Sequence, residues 1–389
     1  MVQLNSSWFR QMAQPTTGWR EKMTLFWHNH FACRTRNAYL AQQQNNTIRE
    51  HALGKFGDLL MAVSKDPAML QFLNNQQNKK DSPNENFARE VMELFTLGRG
   101  NYTEDDVKNA ARAFTGWAFQ PKTGAFFFRQ GQHDVDEKIF RGKRGNFSGE
   151  DILHMILEDR QTARFITNKI WKYFVHAEQL DEGLRDDLAE RFYKSDYDIS
   201  QLMDELFRNP KFYSQSYVGS RVKSPIELLL GIQQHTGGTF SNPENVIFLQ
   251  KALGQVLFLP PNVGGWPNGN SWIDSSSLTF RMSLPNLLFK QMETEFQSKD
   301  DGDVNEVTNQ FKKGGKISFS VDWKKLNELF AGATEAETIS KVEDFLLCKP
   351  TTDGNRKLIA SPLQREMDET ERMRKLFTGF MSLPEYQLS

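Results

Sequence analysis

Cysteine is nearly absent from this chain: Cys33 and Cys348 are the only 2 among 389 residues. That excludes a disulfide scaffold and a cysteine-built zinc site. Long apolar runs are missing too. Stretches such as Leu228 to Ile232 fall far short of the roughly 18 residues a membrane-spanning helix requires. The opening MVQLNSSWFRQMAQPTTGW has no charged region followed by an apolar one and does not read as a secretory leader. Net charge is close to zero, with 48 Lys and Arg against 49 Asp and Glu. No global field draws the chain to nucleic acid or anionic lipid, so nucleic acid is not an expected partner. Neither G-x-S-x-G nor G-x-x-x-x-G-K-[ST] occurs, and Gly142-Lys143-Arg144-Gly145 is a basic turn without the frame a phosphate loop needs.

What is present is apolar and helical. The sequence holds 31 Phe and 8 Trp, with 38% apolar and 25% charged residues, which is ample material for a sizeable core. Asp66-Pro67 reads as an N-cap with proline at the first helical position. Asn84 should cap a helix through Leu97, where Phe87, Val91, Leu94 and Phe95 recur at helical spacing and Gly98 stands at C′. Thr103 should cap the next helix, with Asp105 and Asp106 in its first turn. Between Trp117 and Phe147 the period changes and glycines punctuate the chain, as β-hairpins would require. Helical patterns resume at Gly149. Pro260 to Trp272, with three prolines and three glycines, reads as a shaped loop.

The expected fold is therefore mainly α, a multi-helix array with a small β-hairpin insertion near 117–147. The expected division is a principal helical domain over 1–292, a polar linker over 293–316 and a C-terminal helical extension over 317–389.

Several segments together resemble the bacterial domain of unknown function 1800 family. They include MTLFWHNHF (Met23–Phe31), PNENFAREVMELFTLG (Pro83–Gly98), AARAFTGW (Ala110–Trp117), HDVDEKIFRG (His133–Gly142), LGQVLFLPPNVGGWPNG (Leu253–Gly269) and SLPEYQL (Ser382–Leu388). The resemblance covers nearly the whole chain from Trp19 and supplies no established reaction. It implies a start truncated relative to longer members, which often carry an export signal. The expected compartment is the periplasm or cell envelope if such a signal was removed, and otherwise the cytoplasm. It also implies a candidate partner, a sulfatase-like protein encoded nearby.

Four groups of residues are candidates for chemistry. In Trp27-His28-Asn29-His30 the two histidines diverge by roughly 200° on a helix. His30 lies on an apolar stripe with Met23, Phe26 and Trp27 and reads as a core histidine, which turns His28 elsewhere. Glu85, Arg89 and Glu93 form an i, i+4, i+8 row in which one arginine can serve two carboxylates, leaving Glu90 without a cation. His133 and Asp134, with Lys138 nearby, can share a metal if an irregular loop turns them the same way. Trp117, Trp266 and Trp272 offer flat faces for stacking on sugars, although most such tryptophans cover a core.

The sharpest expectation is a pocket of His28, Glu90, His133 and Asp134 holding a divalent metal for hydrolysis. In it Glu90, His133 and Asp134 are catalytic, His28, His133 and Asp134 ligate the metal, and Arg89, Trp117, Trp266 and Trp272 bind substrate. Two other readings stand beside it: a non-catalytic envelope or export-associated binding protein whose partner-binding surface is held by PPNVGGW and PNENFARE, and a helical-toroid glycosidase using two of Glu90, Glu93 and Asp134.

Overall fold

The computed structural model describes residues 1–178, 180–290, 293–294, 315–363 and 367–389. Eighteen α-helices dominate the described residues. In the first half they are α1 (Val2–Met12), α2 (Gly18–His30), α3 (Ala38–His51), α4 (Phe56–Ser64), α5 (Pro67–Phe72), α6 (Asn86–Glu90), α7 (Glu104–Ala113), α8 (Gly149–Leu157) and α9 (Arg160–Phe174). There follow α10 (Glu182–Lys194), α11 (Ile199–Arg208), α12 (Pro225–Thr236), α13 (Pro243–Leu253), α14 (Ser275–Phe289), α15 (Trp323–Glu328), α16 (Glu335–Leu346), α17 (Asp353–Ala360) and α18 (Glu369–Met381). The expected mainly α class is what the chain adopts. No described helix is long and apolar enough to cross a membrane.

The local punctuation acts as its chemistry dictates. The Asp66 side chain accepts from the backbone N–H groups of Ala68 and Met69, with Pro67 filling the position that needs no donor. Thr103 and Asp106 close a reciprocal capping box at the start of α7. Ser148 and Asp151 do the same for α8, and Ser224 and Glu227 for α12.

Among the described residues the strands form only two-stranded antiparallel sheets, with a few isolated bridges besides. Between α7 and α8, β1 (Trp117–Phe119) pairs with β2 (Phe126–Phe128) and β3 (Lys138–Phe140) with β4 (Lys143–Gly145). The second hairpin turns on Arg141 and Gly142, with φ of 48° and 76°, the left-handed pair that a two-residue turn needs to match strand twist. Arg141 tolerates that backbone because its N–H donates to Asp106 Oδ1 at 2.8 Å and its guanidinium pairs with Asp159. The polar stretch expected as a linker falls, for residues 295–314, outside the described residues.

The described chain divides into two compact units. The first gathers residues 16–212 with 258–266 around an aromatic core in which Trp27, His30, Phe31, Phe56 and Phe95 meet ring to ring. The second gathers residues 2–15, 213–257 and 267–389. Within it Asn5 and Gln250 exchange side-chain hydrogen bonds of 2.8 and 2.9 Å between α1 and α13, and α18 packs against α14, α15 and α16.

Candidate functional site

Two segments whose contacting residues, Asn29 and Trp266, stand 237 apart in sequence meet at the end of α2. Asn29 Oδ1 accepts the backbone N–H of Trp266 at 2.7 Å. Gly265, at φ 83°, lies so close that a Cβ there would stand 2.5 Å from the Asn29 carbonyl oxygen and closer still to its Oδ1. The second glycine of PPNVGGW is thus required both by its backbone and by its neighbour. His28 packs edge-on to Phe258 at 5.4 Å and beside Trp266 at 5.7 Å. Burial holds its imidazole neutral, with a pKa pushed down to about 3. Phe258 has φ 69°, an unusual backbone for a bulky residue.

The next residue but one faces the opposite way, as helical geometry demands. His30 Nε2 lies 3.0 Å from the Phe95 carbonyl, so it must carry the proton, and Nδ1 is left as an acceptor for the Lys169 ammonium at 3.4 Å. Lys169 also donates to the Leu94 carbonyl at 3.0 Å and lies 4.9 Å from the Phe165 ring. No described carboxylate pairs with it, and desolvation lowers its pKa to about 8.

These two carbonyls are available because the helix changes pitch. After α6 the segment Val91–Thr96 winds as a π-helix, which widens the turn. The expected straight run from Asn84 to Leu97 is corrected here, and so is the expected ion-pair row. Arg89 serves Glu85 at 3.1 Å, but its other partner is Glu104 at 2.7 Å. The pitch change carries Glu93 out of the row to Arg99, at 2.8 Å, and to the Tyr102 hydroxyl. Glu93 is held below its usual range, first by the Tyr102 hydrogen bond and then by Arg99. Glu90, at the last turn before the π-helix, is half-buried and has no hydrogen bond or ion pair among the described residues. Desolvation and the nearby Glu93 charge push its carboxyl upward.

His133 and Asp134 do share one anchor. The Thr115 hydroxyl accepts the Asp134 N–H at 2.8 Å, and the Thr115 carbonyl lies 2.9 Å from His133 Nδ1, which must donate to it. Their side chains then part. Asp134 takes both nitrogens of the Arg112 fork at 2.7 and 3.2 Å. Burial works to raise its carboxyl, but the Arg112 and Asp136 hydrogen bonds outweigh that and leave it lowered. Lys138, wholly buried, donates to the carbonyls of Asp134 and Asp136 at 2.6 and 2.9 Å.

The three candidate ligands therefore present no shared donor set. His28 faces Phe258 and Trp266, Asp134 is committed to Arg112, and His133 turns Nδ1 to Thr115. Among the described residues no three His, Cys, Asp or Glu side chains gather as ligands for one ion. Trp117, Trp266 and Trp272 are all buried and open no stacking face to solvent. The residues that sequence reasoning passed over are Asn29, Lys169 and the exposed Phe127 and Phe128. Only the glycine pair before Trp266 signalled a close approach, without saying to what.

No curated protein and no solved structure matches the chain. One family model, described as a protein of unknown function and numbered DUF1800, matches residues 1–388. Because that match spans nearly every residue, including the Asn29–Gly265 junction and the π-helical turn, the chain belongs to the DUF1800 family.

Proposed function

We propose that this chain is a non-catalytic binding protein whose contact surface is the β insertion between α7 and α8. One observation carries the reading: between residues 127 and 139, four large apolar side chains stand in solvent, with Phe127 36%, Phe128 46%, Val135 64% and Ile139 46% exposed. Apolar side chains exposed along one short insertion, with Phe127 and Phe128 on opposite faces of β2, suit a partner that lies along the strand edge. The backbone supports the same reading. All three residues of β1 are buried, and β2 has no strand on its outer edge among the described residues. An extended partner segment can add to that edge, with main-chain hydrogen bonds supplying affinity and the phenylalanines supplying area. The partner that fits the family resemblance is a sulfatase-like protein encoded beside the chain, in the envelope or export pathway. Co-expression of the two tests this. The pair is expected to co-purify, and Phe127→Ser with Phe128→Ser to abolish co-purification while the chain alone still unfolds cooperatively, at a cost of about 1–2 kcal/mol for the lost Arg129 and His133 ring contacts. No association, or association indifferent to both substitutions, overturns the reading.

A second reading, a hydrolase of the glycosidase type, is favoured by Glu90 and Glu93. Three residues apart across the junction of α6 and the π-helix, Glu90 is half-buried without an ion pair while Glu93 is held by Arg99 and the Tyr102 hydroxyl, and their carboxyls are pushed in opposite directions, Glu90 up and Glu93 down, as an acid and a base need. No metal is assigned in this reading. Release of new reducing ends from polysaccharides, lost in Glu90→Gln, would establish it; no release from a broad panel would dismiss it.

A further inference from the structure

The turn between α15 and α16 is made of small residues, Ala331-Gly332-Ala333. Where it faces α18 it contributes two methyl groups and no longer side chain, and a cavity of about 220 Å³ is left within the second unit. That is the space of about seven waters at roughly 30 Å³ each, enough for a small organic molecule. The α18 wall follows from helical spacing. Glu369, Arg372, Met373 and Leu376 stand at i, i+3, i+4 and i+7, so one stripe is charged in the first turn of the helix and apolar in the next. Met373 and Leu376 are buried and, with Phe330, form an apolar floor.

The charges are sorted by depth. The Arg372 side chain is 24% exposed, and that of Glu335, its partner on α16, is 48% exposed. Arg372 Nη1 and Glu335 Oε2 stand 3.6 Å apart, too far for a hydrogen bond, whereas Arg356 meets Glu343 at 2.6 Å in the same unit. A guanidinium carries five N–H donors, so Arg372 can keep its own partners and still receive an incoming carboxylate. Glu369, also exposed, accepts from Asn327 Nδ2 at 3.0 Å through Oε2, which fixes its carboxylate and leaves Oε1 as an acceptor. The floor thus suits an apolar body, the deeper cation a carboxylate, and the two outer acids an ammonium. An aliphatic acid alone would bring its charge beside two carboxylates, and an amine alone would bring its own beside Arg372. A zwitterion meets both signs.

We propose that this cavity binds a small apolar α-amino acid, with its side chain on Phe330, Met373 and Leu376, its carboxylate on Arg372 and its ammonium on Glu335 and Glu369. The site belongs to the second unit and does not depend on the β insertion. Calorimetric titration of the full chain tests it: L-leucine should bind one to one with a dissociation constant below about 1 mM. Isocaproate is leucine without the ammonium and isoamylamine is leucine without the carboxylate, and each should bind about tenfold more weakly or worse. Arg372→Gln should weaken leucine about tenfold without weakening isoamylamine, and Glu369→Gln should weaken leucine without weakening isocaproate. Ala333→Leu fills the cavity from the turn and removes no charge, so it should abolish binding in a chain that still unfolds cooperatively; the two charge variants decide the matter if that substitution does not fold. No leucine binding up to about 10 mM, equal affinity for isocaproate or isoamylamine, leucine affinity unchanged in both charge variants, or full binding by folded Ala333→Leu would overturn the proposal.

Discussion

Replacing Gly265 by alanine should destabilise the first unit by about 3 kcal/mol, and the figure can be built from its parts. An L-residue in the left-handed region costs about 1–2 kcal/mol, and Gly265 stands at φ 83°. The added Cβ would meet the Asn29 carbonyl oxygen at 2.5 Å, and that atom belongs to the last turn of α2, so it cannot yield cheaply. The loop must move instead. Movement breaks the 2.7 Å bond from Trp266 N–H to Asn29 Oδ1, worth about 1 kcal/mol net, and loosens Trp266 from His28. At about 1.4 kcal/mol per decade, the folding equilibrium constant should fall by roughly 100-fold. Urea unfolding gives the midpoint shift, and hydrogen exchange of the peptide covering 258–266 gives the local effect, which matters because a chain of two units need not unfold in one step. Asn29→Ala should raise exchange at the Trp266 amide while costing less, about 1–2 kcal/mol, since the clash is absent. A Gly265→Ala protein within about 0.5 kcal/mol of the parent, with the Trp266 amide still protected, would refute the argument.

Asp66 provides a pH test. Burial raises its carboxyl from 3.8 to about 7, so its protonated form is favoured in the folded state. The stabilisation is complete below the unfolded value and is lost as pH rises through about 7. Asp66→Asn keeps the cap acceptor and removes the titration, so from pH 4 to 7 the parent should lose stability relative to the variant by up to about 1.4 kcal/mol per pH unit, read from urea midpoints; parallel curves would contradict this. Lys169→Met strips the donor from the Leu94 carbonyl and from His30 Nδ1, and should cost about 2 kcal/mol with faster exchange across residues 91–98; unaltered exchange would mean that the π-helical turn stands without it. Arg112→Ala leaves Asp134 largely buried without its fork, and a loss of about 3 kcal/mol in thermal unfolding is expected; a loss below about 0.5 kcal/mol would show that Lys138 alone suffices.

The parts of the structure legible in the sequence are those decided within a few residues. Asp66-Pro67, the Thr103 cap and the glycine-punctuated hairpins announce themselves because their hydrogen bonds close locally. The stripe that placed His30 in the core was readable for the same reason, since Met23, Phe26 and Trp27 recur at helical spacing. The π-helical turn was not, because Phe87, Val91, Leu94 and Phe95 fit an uninterrupted α-helix equally well and the groups that take up its freed carbonyls, Lys169 and His30, come from other segments. Composition alone did not place the tryptophans. A loop rich in glycine and proline leaves open whether Trp266 faces water or a histidine, and here it covers His28. Lys138 gave no sign of its burial, since its partners are backbone carbonyls that any sequence supplies.

The short stretch 258–266 is assigned with residues 16–212 although 213–257 and 267–389, on either side of it, gather elsewhere. No single cut can therefore separate the two bodies intact. A fragment ending at Phe212 would lack the strap bearing Phe258 and Trp266, leaving His28 and the end of α2 uncapped. During synthesis, likewise, the earlier body cannot be finished when its own helices have emerged; it must wait until Trp266 clears the ribosome.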